Sequence, residues 1–246
     1  MEETPQPSPA QSQQKQTLTV PAAIIVAGAL IAIAVFAGLS RGAPLQPKAT
    51  PEQQQQVAIP VDIKKVKTQG DAFVGNPNAP VTVAYWFDYQ CPFCKRFEDD
   101  SVAQIMKEYV ATGKVKLVFK NYQFLGPDSM AAGLASEAVW EVAPDRFYAW
   151  HEAMFAKQDD ENGGWGNKTD ILSLTKTTLG AETAAKVENL MASKEAEYTK
   201  LMEEDKNEGT GFGINGTPGA IIGKTLVQGA QPYASVKKLI DAELAK

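Results

Sequence analysis

Two adjoining segments set the architecture of the chain: Val81-Thr82-Val83-Ala84-Tyr85-Trp86-Phe87 and, directly after it, Asp88-Tyr89-Gln90-Cys91-Pro92-Phe93-Cys94. The first segment is apolar at nearly every position and rich in β-branched and aromatic side chains, which predicts a central strand covered on both faces. Pro92 favours the first turn of a helix, where its missing N–H costs nothing. The two cysteines are therefore expected at a strand-to-helix junction.

The elements around this junction follow from the same kind of pattern. An alternating stretch at 61–66 predicts an earlier strand, and a β-rich run predicts another at 115–119. Between the cysteines and that run, apolar residues at helical spacing predict a helix that ends at Gly113. The first half of the domain is thus predicted to run strand, strand, helix, strand.

The second half of the chain changes from helical to β character. Residues 127–208 carry no strand pattern and are predicted to form a helical insertion, with helices at 129–142, 147–157, 170–178 and 182–205. After it, residues 217–227 predict two short strands joined at Gly223-Lys224, and residues 232–244 predict a terminal helix. Residues 61–246 are therefore predicted to form one α/β domain.

The N-terminal segment has a different composition. Residues 20–40 contain an uncharged apolar run of about 20 residues, which at about 1.5 Å per residue matches the thickness of a bilayer. This length favours an uncleaved transmembrane anchor over a signal peptide, whose apolar region is usually shorter. Residues 1–19 and 41–60 are rich in Gln, Pro, Ser and Ala and are predicted to be a disordered tail and a flexible linker.

Charge excludes one class of partner and leaves the membrane orientation open. The chain has 24 Lys plus Arg against 29 Asp plus Glu, so it offers no basic surface for nucleic acid. Lys15 precedes the apolar run, whereas Arg41 and Lys48 follow it, and this distribution does not favour an exported C-terminal domain. A catalytic disulfide is nevertheless easier to place outside the cytoplasm, and on that ground we expect the N-terminus inside.

Cys91 and Cys94 are the only cysteines, and three uses of such a pair compete. A zinc site needs four ligands, which one His and two Cys do not supply. A structural disulfide across two intervening residues closes too small a loop to stabilise the fold appreciably. Redox exchange is the hypothesis that the spacing favours, with no metal and no dissolved cofactor.

The position of the pair predicts unequal roles. At the start of a helix, unpaired N–H groups and the helix dipole stabilise a Cys91 thiolate, and Lys95 is placed to add to this effect. Cys94 lies one turn inside the helix and is expected to be less exposed. Cys91 is therefore the predicted nucleophile, and Cys94 the predicted partner that closes or reopens the disulfide.

Together, Cys91-Pro92-Phe93-Cys94, the helical block and Thr217-Pro218 before a late hairpin resemble the DsbA-like branch of the thioredoxin superfamily. The resemblance covers about 61–246 and implies a thioredoxin-like fold with a helical insertion. It also implies a cis bond between Thr217 and Pro218, beside the cysteines, where backbone groups bind an extended substrate. A membrane partner that reoxidises the pair is a further implication of the resemblance.

The chain departs from that family at two positions. The best-known DsbA has His where this chain has Phe93, so we expect a less acidic Cys91 and a milder oxidant. The superfamily often buries an acid six residues before the first cysteine, where this chain has Tyr85. Asp88 is the nearby carboxylate, and it is expected either to be a turn or helix-capping residue or to accept a proton from Cys94, the former being favoured.

Two other features have plainer interpretations. His151 is expected to be a helix residue packed by its neighbours, because no thiol stands near it in the sequence. The acidic run Glu98-Asp99-Asp100 is expected to be a solvated face at the start of a helix.

The sequence thus favours a membrane-tethered thiol:disulfide oxidoreductase that forms disulfides in unfolded or exported cysteine-containing proteins. Two alternatives remain open at this point. One is the same fold working as a disulfide reductase or isomerase, because the motif does not fix the reduction potential. The other is a non-catalytic membrane-tethered binding module.

Overall fold

The structure is a computed structural model that describes residues 61–161 and 163–246. The tail, anchor and linker predicted within residues 1–60 lie outside the described residues. In the ranges that are described, no helix is both long enough and apolar enough to cross a membrane.

Within the described residues, five strands form one mixed sheet, in the order β1-β3-β2-β4-β5. In the centre, β2 pairs in parallel with β3 and antiparallel with β4, and β1 and β5 complete the two edges as antiparallel partners. The strands are β1 (Phe73–Val74), β2 (Val81–Phe87), β3 (Val115–Asn121), β4 (Gly219–Ile222) and β5 (Thr225–Gln228). The prediction that β2 is a central, buried strand is confirmed.

The strand predicted at 61–66 is wrong, because this segment turns back on itself. Residues Ile63–Lys65 form a 3-10 turn in which the side chain of Asp62 accepts a hydrogen bond from the N–H of Lys64. Such Asx hydrogen bonds compete with strand pairing. The N–H of Ile63 donates to the carbonyl of Gly223 at 2.8 Å, and the side chains of Val61 and Val66 pack with Ala84 and Trp86 of β2.

The helix after the cysteines is α1 (Pro92–Phe97), and it continues through a π-helical turn (Glu98–Val102), a short α-helical turn (Ala103–Ile105) and a second π-helical turn (Met106–Val110). The helical insertion is confirmed between β3 and β4, with one correction. Its predicted last helix, 182–205, is two helices that meet at Lys194. The later helices are α2 (Pro127–Val142), α3 (Phe147–Lys157), α4 (Lys168–Leu179), α5 (Ala181–Ser193), α6 (Glu195–Gly211) and α7 (Tyr233–Leu244).

The alternation of β2 assigns its side chains to two cores. Tyr85 and Phe87 point to the large core, which α1, α2, α3 and α7 cover, while Ala84 and Trp86 point to a smaller core on the opposite face. Successive side chains of a strand point to opposite faces of the sheet. Tyr85 thereby lies on the same side of the sheet as the cysteines.

A buried charge cluster fastens the end of the insertion to the sheet. The ammonium of Lys120 in β3 is inaccessible to solvent and lies 2.7 Å from Asp71, 2.5 Å from Asp205 and 3.1 Å from Glu208. The last two residues belong to α6. Burial alone would lower the pKa of Lys120, but Asp205 and Asp71 raise it above its usual value, so the lysine stays charged inside the fold.

Candidate redox site

Cys91 ends the tight turn between β2 and α1, and Cys94 lies in the first turn of α1. Cys91 is the residue before the first helical position, which Pro92 occupies as predicted. The N–H of Cys91 donates to the carbonyl of Asp88 at 3.1 Å, and the N–H groups of Cys94 and Lys95 donate to the carbonyl of Cys91 at 3.0 and 3.1 Å. The turn therefore aims the free N–H end of the helix at the sulfur of Cys91.

Both thiols are free, and they are unequally covered. Cys94 has no exposed surface, which confirms the expectation that it is the inner cysteine. Cys91 is 4% exposed, so the expectation of an exposed nucleophile is corrected to one with a small opening to solvent. The loop at Thr217 covers it, since the carbonyl of Thr217 lies 3.4 Å from Sγ of Cys91.

The peptide bond between Thr217 and Pro218 is cis, as the resemblance implied. Pro218 directly precedes β4, which pairs with β2, so the sheet itself brings this loop beside the cysteines. The carbonyl of Pro218 accepts a hydrogen bond from the N–H of Gly229 at 2.8 Å, which holds the loop against the end of β5.

The environment of Cys91 lowers its pKa from 9.0 to about 6. The largest cause is the neighbouring Cys94 thiol; burial, the next largest, opposes the change, and the side chain of Thr217 and the backbone N–H groups of Cys94 and Phe93 lower the pKa further. At pH 7 a thiol with that pKa is about 90% thiolate. Sequence reasoning identified the helix N-terminus but missed the larger contribution of Cys94.

The pKa of Cys94 changes in the opposite direction. Burial raises it well above the usual range for a thiol, and the charge and hydrogen bonding of Cys91 raise it further. Cys94 is therefore a protonated, buried thiol at neutral pH that stabilises its neighbour by donating to it. Cys91 is the sulfur prepared to exchange, and Cys94 must lose a proton before it can react.

Asp88 is a structural anchor for this turn. It is buried, and its carboxylate accepts from the N–H groups of Gln90, Phe124 and Leu125 and from the hydroxyl of Ser129 at 2.7 Å. Burial raises its pKa, although these hydrogen bonds oppose the rise. It does not cap α1, because its carboxylate accepts from Gln90, Phe124, Leu125 and Ser129, all of which lie outside that helix. Instead it joins the cysteine turn to the loop that begins the insertion.

Lys95 does not face the Cys91 sulfur, which corrects the expectation that it supports the thiolate. Its ammonium donates to the carbonyl of Phe155 at 2.8 Å and lies 3.6 Å from Asp99. The long, flexible side chain reaches the end of α3, where the carbonyl of Phe155 accepts it in addition to the N–H of Gln158. Lys95 therefore ties α1 to the insertion.

Phe93, between the cysteines, is 56% exposed, and the guanidinium of Arg96 lies 5.1 Å from the centre of its ring. Phe124 is 46% exposed, and its N–H group is bound to Asp88. Large apolar side chains that stay in contact with water near a reactive sulfur offer a surface for an apolar partner.

Three buried polar residues lie near the cysteines, and the sequence analysis did not identify the first of them and misplaced the second. The amide of Gln158 donates to the carbonyls of Tyr89 at 2.5 Å and Cys91 at 3.1 Å, and so fixes the cysteine turn. Glu98 is buried, which corrects its expected place on a solvated face, and its Oε1 lies 3.0 Å from Nε2 of His151. His151 is packed in a helix as expected. The sequence contained one indication that Glu98 is buried: it follows Cys94 by one helical turn, so the two side chains lie on the same face of the helix.

The arrangement defines a class of protein. Because the outer sulfur is a thiolate at neutral pH and a protonated inner thiol lies against it, the pair can exchange a disulfide with another protein without a further reactant. Among the residues that the structure describes, no three metal-ligating side chains converge that would redirect this chemistry to metal binding. These properties are those of a thiol:disulfide oxidoreductase.

Comparison with known proteins places the chain in a family. A family model described as Thioredoxin matches residues 67–242. Disulfide bond formation protein D of Bacillus subtilis is 34% identical over 176 residues, which are 72% of this chain and 78% of that protein. The chain therefore belongs to the thioredoxin family, and its relatives place it among the DsbA-like thiol:disulfide oxidoreductases.

Solved structures agree with this assignment. The crystal structure of oxidised BdbD from Bacillus subtilis aligns with a TM-score of 0.68 and 32% identity, covering 77% of this chain and 99% of that one. The thiol-disulfide exchange protein alpha-DsbA2 of Wolbachia pipientis aligns with a TM-score of 0.61 at 22% identity, covering 71% and 87%, and supports the fold alone. The thioredoxin-like fold with a helical insertion is thus confirmed.

Proposed function

We propose that this protein introduces disulfides into exported proteins while tethered to the outer side of the cell membrane. The observation that carries the proposal is the position of Cys91 at the N-terminus of α1, beside the buried Cys94 and the cis-Pro loop, which lowers its pKa to about 6. Stabilising that thiolate stabilises the reduced enzyme, and an enzyme that is stable when reduced is an oxidant when its disulfide is formed. The name of the relative from Bacillus subtilis, which refers to disulfide bond formation, supports the same direction.

In the proposed cycle a substrate thiolate attacks Cys91 of the Cys91–Cys94 disulfide. The new bond joins the substrate to Cys91, and the electron pair of the broken bond leaves on Cys94. A second substrate thiolate then attacks the substrate sulfur, which releases an oxidised substrate and a reduced enzyme carrying two electrons. Turnover requires an electron acceptor, for which we propose a protein of the membrane; the redox-active disulfide itself replaces a dissolved cofactor.

The surface around the opening suits an unfolded substrate. The cis-Pro loop places the backbone of Thr217 and Pro218 beside Cys91, where an extended chain can pair with it. Phe93 and Phe124 expose apolar rings in the neighbourhood of the same turn. We propose that the loop accepts substrates of many sequences because it pairs with their backbone. We also propose that the exposed rings favour unfolded substrates, whose apolar residues are not yet buried.

Oxidation of a reduced, unfolded protein with several cysteines tests the direction of exchange. The full chain in its disulfide form is expected to yield disulfides in stoichiometric amounts, whereas the Cys91→Ser protein is expected to yield none. A glutathione titration separates the oxidase from a reductase or isomerase. A reduction potential near about −270 mV, the thioredoxin end of the range, would sink the oxidase proposal.

The tether is proposed from residues 20–40, which the structure does not describe. Their uncharged length supports an anchor, and residues 41–60 are proposed as the linker to the domain. Protease added to intact cells is expected to digest the domain, because the proposed orientation leaves it outside. Digestion only after lysis would reverse the orientation, and recovery of the full chain in the supernatant would remove the anchor from the proposal.

A further inference from the structure

The two large apolar residues that stay exposed in the described part of the chain each have a cation over their ring. The guanidinium of Arg96 lies 5.1 Å from the centre of the Phe93 ring, one helical turn away in α1. The ammonium of Lys206 in α6 lies 6.0 Å from the centre of the Phe124 ring. Cations at such distances are attracted to the face of an aromatic ring. Each exposed ring is therefore combined with a positive charge.

Lys206 lies over two rings that are joined to the two loops of the redox site. Its ammonium is also 5.6 Å from the centre of the Tyr122 ring. The hydroxyl of Tyr122 donates to the carbonyl of Ile214 at 3.3 Å, at the start of the loop that leads to the cis bond. The N–H of Phe124 donates to the carboxylate of Asp88 at 2.9 Å, in the cysteine turn. These hydrogen bonds fix the rings, and the rings position the cation.

The strand order brings both cations to the reactive end of the sheet. β2 and β3 are parallel and end side by side, and β4 begins at the same end, where Gly219 pairs with Trp86. The cysteine turn follows β2, segment 122–124 follows β3, and the cis-Pro loop precedes β4. A polypeptide that reacts with Cys91 therefore approaches the end of the sheet at which Phe93 and Phe124 are exposed.

Neither cation is neutralised within the fold. In the described residues, no carboxylate forms an ion pair with Arg96 or Lys206, although the chain has 24 Lys plus Arg against 29 Asp plus Glu. The cations are not needed for the thiolate either, because Cys94, Thr217 and backbone N–H groups are what chiefly lower the pKa of Cys91. Charges placed in this way favour partners of the opposite sign.

We propose that Arg96 and Lys206 select substrates that carry acidic side chains next to the reacting cysteine. The inference rests on the proposed exchange at Cys91 and names a substrate class for it. An acidic neighbour raises the pKa of a substrate thiol, so that less of it is thiolate at neutral pH. The two cations offset that negative charge, while the exposed rings contact apolar residues of the same segment. Both residues determine specificity and leave the exchange of bonds unchanged.

A pair of matched peptides tests the selection. Both peptides contain two cysteines, and the residues that flank them are Glu in one peptide and Gln in the other. The oxidised full chain in a non-ionic detergent is mixed with each peptide, and acid quenching followed by mass spectrometry gives the second-order rate of peptide oxidation. The quantity compared is the ratio of the Glu-peptide rate to the Gln-peptide rate. Comparing this ratio between proteins cancels the intrinsic difference between the peptide thiols.

The ratio is expected to fall when either cation is removed. Arg96→Gln and Lys206→Gln should each lower it about two- to fivefold relative to wild type, as expected for a good exposed ion pair. The side chains of Arg96 and Lys206 form no hydrogen bond or ion pair inside the described fold, so both variants are expected to fold. Equal ratios in the wild type and both variants would overturn the proposal, and so would an equal slowing of both peptides.

Lys224→Gln is the matched control. Lys224 is an exposed lysine in the turn between β4 and β5, at the opposite end of the sheet, and its replacement changes the net charge by the same amount. The ratio of this variant is expected to equal the wild-type ratio. A decrease as large as that of Lys206→Gln would show that net charge decides the rates, and the proposal would be wrong.

Salt tests the wild type without any substitution. Raising NaCl from about 0.05 to 0.5 M shortens the screening length to less than about 5 Å and should lower the wild-type ratio. Screening the acidic peptide's own charges, or its repulsion from the acidic chain, would raise the ratio instead. A ratio that stays constant or rises therefore contradicts the proposal, even if a variant does not fold. A wild type that oxidises neither peptide refutes the proposed function, and this inference with it.

Discussion

Replacing Cys94 should change the acidity of Cys91 in a way that depends on what replaces it. The thiol of Cys94 is the largest cause that lowers the Cys91 pKa to about 6. Cys94→Ala removes this donor, whereas Cys94→Ser retains a hydroxyl in nearly the same place. The two variants therefore differ in one hydrogen bond to the thiolate while sharing the helix N-terminus and the cis-Pro loop.

The size of the effect follows from the strength of that hydrogen bond. Hydrogen bonds to charged groups contribute about 1.5–3 kcal/mol, and the lower end applies because a thiol is a weak donor and the site opens to water. Each pKa unit corresponds to about 1.4 kcal/mol. The Cys91 pKa of the alanine variant is therefore expected to lie about one unit above that of the serine variant.

The rate of alkylation by iodoacetamide measures this difference, because only the thiolate reacts. Near pH 6 the thiolate fraction of Cys91 should fall from about one half in Cys94→Ser to about one tenth in Cys94→Ala, a fivefold slower reaction. Absorbance of the thiolate at 240 nm gives the same pKa independently. If both variants titrate near 6, the backbone N–H groups and Thr217 suffice, and the role assigned to Cys94 is wrong.

Three further predictions concern stability. Lys120→Met leaves buried carboxylates without their cation and should lower the free energy of unfolding by about 3–5 kcal/mol in urea titrations. Gly209→Ala places a Cβ 2.8 Å from the Trp86 ring and should cost about 1–3 kcal/mol, measured in the same way; an unchanged midpoint would mean that α6 shifts freely. Because folding lowers the Cys91 pKa, the reduced wild type should gain thermal stability over Cys91→Ala between about pH 6 and 9 and lose it as the pH falls; a pH-independent difference would contradict this.

The cysteine turn was predictable because its determinants are close together in the sequence. An apolar strand, a proline at the first helical position and the spacing of Cys91 and Cys94 each describe contacts within a few residues. The hairpin after Pro218 was predictable for the same reason, since a two-residue turn joins its strands. Local patterns thus located the outer sulfur and the helix end that makes it acidic.

Other contacts depend on segments far apart in the chain. From the sequence alone, the ammonium of Lys95 could bind either the Cys91 sulfur or a carbonyl group. The packing of the insertion places the carbonyl of Phe155 within its reach, and the ammonium binds there. At 61–66 a local Asx turn prevailed over the alternating pattern that suggested a strand. The sequence predicted an exposed Glu98, because its partner His151 is 53 positions away, in a helix whose packing the sequence does not define.

The acidity of Cys91 and the position of the cysteine turn depend on different parts of the chain. The acidity is set mainly by residues 91–94 and Thr217, so it changes when the motif or the cis-Pro loop changes. The position of the turn depends on the insertion, because Gln158, just after α3, donates to the carbonyl of Cys91, and Ser129 of α2 donates to Asp88. Changes at these two positions should therefore loosen the turn and lower the stability of the domain, whereas changes at residues 91–94 should alter the acidity of Cys91 directly.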